Sequence, residues 1–179
     1  MDNLTMASLF SFVLALAVAF AMTPAVKMLA IRIKAVDIPK DNRRMHKEPV
    51  PRAGGLAIFA GFLVGVLCFG ALGPQMKAIL LGALLLVALG MVDDVVSLKP
   101  SVKFAGQIAA ALIPVLSGVV VERFTNPFSP SGYLHLGVLS IPVTVIWIVG
   151  ITNAVNFIDG LDGLACGVSA VATITMFVI

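Results

Sequence analysis

Charge is what this sequence has least of. Only 12% of its 179 residues are Asp, Glu, Lys or Arg, against about a quarter in ordinary soluble domains, while 60% are hydrophobic. That shortage excludes a soluble globular domain and points to a chain solvated largely by lipid. Long stretches carry no charge at all, as expected where hydrocarbon cannot solvate it and every backbone polar group must be satisfied inside a helix. Cysteine is scarce as well. Cys68 and Cys166 lie in apolar segments with neither metal-ligand spacing nor a disulfide pattern, so they read as core residues. The N-terminus lacks the basic segment of a signal peptide, opening on Asp2, and no small-residue cleavage site ends its first apolar run. That run is therefore a retained membrane helix. With no internal repeat and no low-complexity linker, residues 1–179 read as a single membrane domain.

What is present is a series of apolar runs at 4–26, 53–72, 78–92, 104–121, 136–158 and 163–179. Most approach the roughly 20 residues that cross a hydrocarbon core, which predicts an all-α, polytopic transmembrane helix bundle with about six spans. The run at 78–92 is short, about 22 Å of helix against a core of about 30 Å, so Asp93 and Asp94 at its end are expected in a recessed position. Basic residues set the orientation. Alternate loops gather Lys27, Arg32, Lys34, Lys40, Arg43, Arg44, Lys47, Arg52, Lys99 and Lys103 on one side, with only Lys77 and Arg123 on the other. This places the N-terminus outside. The outer segment from Glu122 to His135, with Asn126-Pro127, Ser129-Pro130 and Ser131-Gly132, carries turn signals and no catalytic pattern.

Three constellations fall on the cytoplasmic side. The loop from Pro39 to Gly55, PKDNRRMHKEPVPRAGG, combines basic residues and His46 with three prolines. It would serve as an anchor to anionic headgroups, but prolines stiffen it and Gly54-Gly55 permits close backbone approach, which suits a polyphosphate better. The second, DDVVSLKPSVKF, places Asp93 beside Asp94 at a helix end. Adjacent carboxylates repel and oppose the helix dipole there, so Mg²⁺ or a lysine is expected nearby. In the third, NAVNFIDGLDG, Asn153, Asn156, Asp159 and Asp162 recur every three residues, which on a helix presents hard oxygen donors of the kind Mg²⁺ accepts. Asn153 and Asn156 would also fit as hydrogen-bond partners between membrane helices. Cations for phosphate, oxygens for a metal and carboxylates for protons on one face describe phosphoryl transfer at a membrane.

At HKEPVPRAGG, DDVVSLKPSVKFAGQ and NAVNFIDGLDGLA, in that order and separated by spans, the sequence resembles the polyprenyl-phosphate N-acetylhexosamine-1-phosphate transferases of glycosyltransferase family 4. PVPRAGG and SLKPSVKF are more similar to the UDP-GlcNAc branch, which starts teichoic acid or other surface polymers, than to the phospho-MurNAc-pentapeptide transferases. The resemblance implies transfer of N-acetylglucosamine 1-phosphate from UDP-GlcNAc to undecaprenyl phosphate with release of UMP. It further implies a Mg²⁺ requirement, with Mn²⁺ as the alternative ion. By the same resemblance Asp93 and Asp94 match the catalytic pair, Asp93 as base on the lipid phosphate. Asp159 and Asp162 match the segment supporting nucleotide and metal, Lys47 and Lys103 basic positions near the diphosphate or nucleotide, and Asn156 a position in the metal shell.

The implied partners are the UDP-sugar, polyprenyl phosphate and membrane lipid, not nucleic acid, with room for a homodimer. The implied location is the cell membrane, with the active site on the cytoplasmic face. Relatives of this kind have ten or eleven spans, with a further metal-binding aspartate and a histidine-rich loop in their later half. Neither occurs here, and the last run ends without a polar flank. The chain is therefore expected to be the N-terminal portion of a larger transferase, and an inactive membrane fragment is the alternative. An ion-coupled transporter fits less well, because no acidic residue interrupts an assigned span.

The ten-to-two basic asymmetry gives a direct test. With Cys68 and Cys166 replaced, single cysteines at positions 44 and 99 should resist an impermeant thiol reagent in intact cells, and one at 129 should react. External labelling at position 44 would overturn the orientation.

Overall fold

The computed structural model describes residues 3–37, 50–51, 53–128, 132–159 and 163–178. Two compact units divide the chain, Met1–Gly118 and Val119–Ile179. The first holds helices α1 (Asn3–Arg32), α2 (Gly54–Phe69), α3 (Pro74–Val96) and α4 (Pro100–Leu116), with a short strand pair, β1 (Val36–Asp37) and β2 (Val50–Pro51), between α1 and α2. The second holds strands β3 (Arg123–Thr125) and β4 (Tyr133–His135), a 3-10 turn at Gly137–Leu139, then helices α5 (Ser140–Ile158) and α6 (Leu164–Val178). The all-α membrane architecture is as the sequence predicts.

Met6–Arg32, Pro74–Val96 and Gly137–Ile158 are each long and apolar enough to cross a membrane. Gly54–Phe69, Pro100–Leu116 and Leu164–Phe177 are apolar but shorter, about 21–26 Å at 1.5 Å per residue against a core of about 30 Å. The third helix extends beyond its short apolar run at 78–92: it starts with Pro74 in its first turn and continues through Asp93 and Asp94 to Val96, 23 residues in all. Likewise α1 continues six residues past Val26, since Lys27 and Arg32 extend a helical backbone with ease. Its end is set by local bonds. Lys34 takes a left-handed conformation at φ 60°, and the Ala35 N–H donates to the Ala30 carbonyl at 2.9 Å, the long bond of a Schellman-type cap.

Packing inside the first unit depends on small residues. A methyl group added at Gly61 would collide with the Ala15 carbonyl oxygen and lie 3.1 Å from the Ala19 Cβ, and one at Gly65 would lie 3.1 Å from the Ser11 hydroxyl. Rising numbers on α2 meet falling numbers on α1, so the pair is antiparallel. In the same way Gly82 of α3 faces the Ala110 carbonyl and Pro114 of α4. The buried cluster Val26, Ala30, Ala35, Ala53 and Ala57 closes the end of the α1–α2 pair next to the strands. Large apolar side chains point outward instead: Phe20 is 82% exposed and Phe157 91%. In water that distribution would be untenable, whereas in lipid, where burial of apolar groups between helices gains little, close backbone approach supplies the attraction.

Gly61→Ala should accordingly lower the thermal stability of the detergent-solubilised chain by about 1–3 kcal/mol through overpacking. Gly90→Ala, also within a helix but with open space around the added methyl, should be neutral or stabilising by up to about 1 kcal/mol. Equal effects at the two positions would refute glycine-mediated contact between α1 and α2.

Candidate functional site

Asp93 and Asp94 occupy the last turn of α3, where the exposed carbonyl ends make further negative charge unfavourable. The structure shows how one of these charges is offset. Ser97 adopts a left-handed conformation at φ 54° and turns the chain back after its N–H bonds the Asp93 carbonyl at 2.8 Å. The Leu98 N–H then donates to Asp93 Oδ1 at 3.0 Å. From the first turn of α4, Lys103 Nζ donates to Asp93 Oδ2 at 2.8 Å. Each partner of this ion pair keeps 24% of its side chain accessible. A single carboxylate thus binds the turn and the next helix together.

Sequence reasoning asked for a metal or a lysine beside this pair, and a lysine is there. The resemblance implies a place near the diphosphate or nucleotide for Lys103, and in the structure its ammonium group rests on Asp93. Sequence reasoning missed Ser97 and the Leu98 N–H. A serine in a left-handed cap and a backbone donor leave no trace in residue patterns.

The basic loop is held at its base. Val36 pairs with Pro51 and Asp37 with Val50 in antiparallel register, which joins the two ends of the loop. Beside this base a groove of about 190 Å³ is lined by Thr23, Val26, Lys27, Pro51, Gly54 and Ala57, one cation among small and apolar groups. Lys47 and the rest of residues 38–49, together with Arg52, lie outside the described residues.

In the second unit Asn153 and Asn156 stand three apart on α5, and Asp159 is its C-terminal cap. Asn153 Nδ2 donates to the Val149 carbonyl of its own helix at 2.8 Å. Asn156 and Asp159 are exposed, and the Asp159 N–H closes the helix on the Val155 carbonyl at 3.2 Å. Just before α6, Gly163 has φ +79°, a conformation that suits glycine. Asp162 lies outside the described residues. The amide and carboxylate oxygens of Asn156 and Asp159 are hard donors at the negative end of a helix, a donor set that fits Mg²⁺ in chemical type. Two such residues are too few to enclose the ion, consistent with its habit of keeping water and borrowing phosphate oxygens.

A profile of glycosyl transferase family 4 matches residues 76–179. The chain belongs to that family. The family 4 match takes in Asp93, Asp94, Lys103, Asn156, Asp159 and Asp162, and begins after Lys47 and the basic loop. The chain is 44% identical over 169 residues to a probable undecaprenyl-phosphate N-acetylglucosaminyl 1-phosphate transferase of Bacillus subtilis, covering 94% of this chain and 47% of that protein. It is 37% identical over 171 residues to a decaprenyl-phosphate N-acetylglucosaminephosphotransferase of Mycolicibacterium smegmatis, covering 90% and 42%. With a phospho-N-acetylmuramoyl-pentapeptide-transferase of Chlorobaculum parvum the identity is 31% over 157 residues, covering 78% and 42%. The chain spans about half the length of the curated relatives it matches.

For this family 4 chain the Asp93–Lys103 contact is open to a double-mutant cycle. Asp93→Asn and Lys103→Met should each reduce stability by about 1–3 kcal/mol, as expected for a charge-assisted hydrogen bond. The double variant should lose less than the sum, leaving a coupling of at least about 0.5 kcal/mol. Strict additivity, measured by thermal unfolding in detergent, would show the contact to be energetically empty.

Proposed function

We propose that this chain carries part of an enzyme that transfers N-acetylglucosamine 1-phosphate from UDP-GlcNAc to undecaprenyl phosphate. The observation that carries the reading is the 44% identity extending over 94% of the chain to a relative named for that transfer. Relatives named for N-acetylglucosamine transfer are matched over 89–94% of this chain, those named for the muramoyl-pentapeptide over 73–78%, which favours the former branch. The product would be the first lipid-linked intermediate of a surface polymer such as teichoic acid, made on the cytoplasmic face of the cell membrane.

In the reaction an oxygen of the lipid phosphate attacks the phosphorus attached to the sugar. The bond from that phosphorus to the oxygen bridging the two phosphates breaks, its electrons leave on that oxygen with UMP, and any proton on the attacking phosphate passes to a base. A carboxylate of the Asp93–Asp94 pair serves as that base. Lys103 and the Leu98 N–H fix the Asp93 carboxylate in orientation, so that it need not reorganise as charge moves. Lys47 and the rest of the basic loop attract the nucleotide diphosphate. Asn156, Asp159 and Asp162 would hold Mg²⁺, or Mn²⁺ in its place, which when bound neutralises charge on the diphosphate.

The test is exchange of labelled UMP into UDP-GlcNAc, using the chain extended to its relatives' full length and the chain as it stands. Chelation should abolish exchange in the extended protein, and added Mg²⁺ should restore it. Asp94→Asn should slow exchange by the equivalent of about 2–4 kcal/mol at unchanged abundance. Asp93→Asn should lower rate and abundance together, because Asp93 also ties α3 to α4. The 179-residue chain alone should show little exchange at any Mg²⁺ concentration. Chelator-resistant exchange would remove the metal, and a fully active Asp94→Asn protein would remove that residue.

A further inference from the structure

Between α4 and α5 the chain forms a hairpin that takes no part in this chemistry. Its register sets Arg123 opposite His135, Phe124 opposite Leu134 and Thr125 opposite Tyr133. Side chains alternate along a strand and directly opposed residues share a face. Phe124 and Leu134 therefore form one face, and Arg123, Thr125, Tyr133 and His135 the other. On the polar face the Arg123 guanidinium lies over the Tyr133 ring, 4.8 Å from its centroid. The apolar face is uncovered among the described residues: Phe124 and Leu134 are exposed, as are Phe128 (95%) beyond the first strand and Val138 (90%) beyond the second. A two-stranded hairpin is marginal at best alone in water.

Two hydrogen bonds set its height. The Leu136 N–H donates to the Glu122 carbonyl at 2.9 Å, closing the hairpin base. The Val121 N–H donates to Thr144 Oγ1 at 2.8 Å, and that buried hydroxyl donates in turn to the Ser140 carbonyl at 2.6 Å. The apolar membrane-crossing stretch containing α5 begins at Gly137, so Thr144 lies about 10 Å along it at 1.5 Å per residue. The segment entering β3 is thus tied to a residue inside the membrane-crossing stretch. Beyond the hairpin, Leu139, Ile141 and Trp147 are exposed as well.

We propose that this hairpin lies in the lipid interface at the N-terminal end of α5. Phe124, Phe128 and Leu134 enter the boundary between headgroups and acyl chains, while Arg123, Tyr133 and His135 face headgroup phosphates and water. An amphipathic element with aromatic residues and an arginine is suited to that layer, where rings bury their bodies and polar ends stay wet. It would anchor the entry of α5 from outside the helix itself.

Trp147 is the single tryptophan of the sequence, so a Trp147→Phe background provides a silent protein. In it, Phe124→Trp and Phe128→Trp should emit at blue-shifted wavelengths in lipid nanodiscs and be quenched several-fold more by lipids brominated near the headgroup than by aqueous acrylamide. Thr125→Trp, on the opposite face, should show the reverse preference. If Trp147→Phe does not fold, a nitroxide on a cysteine at 124 or 125, with both native cysteines replaced, gives the same comparison through relaxation by oxygen and by an aqueous nickel complex. Both the chain and its extension to the relatives' full length should be measured. Water-like emission and acrylamide quenching at 124 would overturn the proposal. So would shielding from both lipid and acrylamide, which would mean that protein, a second copy or the remaining length, covers the face.

Discussion

Hydrocarbon cannot form hydrogen bonds, and most features of this chain follow from that constraint. Backbone polar groups must pair within helices, and helix contacts cannot rely on expulsion of water. The attraction comes instead from close approach, which Gly61, Gly65 and Gly82 permit against Ala15, Ser11 and Ala110. Large apolar side chains are then free to face lipid. Charge in lipid needs a partner or an interface, and at the end of α3 Asp93 has such a partner in Lys103.

At that end a local structural need coincides with the catalytic role proposed for Asp93. A carboxylate at a helix C-terminus is unfavourable by itself. Here Asp93 accepts a backbone N–H from the turn and an ammonium group from the next helix, so the unfavourable group becomes the tie between α3 and α4. The same contacts hold its oxygens in one orientation. A reaction that moves charge between phosphates benefits from groups that are already placed before the charge moves. Removing Asp93 would therefore disturb the fold as well as the proposed chemistry.

Apolar runs mark where lipid begins and ends, whereas helices end where hydrogen bonding ends. For α1 the lipid-facing run stops near Val26, but the backbone continues to Arg32 and closes on the Ala35–Ala30 bond. For α3 the polar ends belong to the helix, so the short run at 78–92 did not mean a short helix. The three-residue strands of the hairpin are too brief for an alternating pattern to stand out. Only their turn residues were visible in advance.

Composition and basic-residue asymmetry alone determined that this is a membrane protein of helices, because the energetic penalty for charge in lipid leaves its mark on every residue. The three polar constellations also stand out in the sequence, as residue types at short spacings of the kind the proposed phosphate and metal chemistry would require. Tertiary structure decided which groups meet: Lys103 on Asp93, Asn153 bonded back to Val149, Val121 tied to Thr144. Such pairings depend on where chain reversals bring distant atoms, and on backbone donors that every residue possesses, so residue identity cannot announce them.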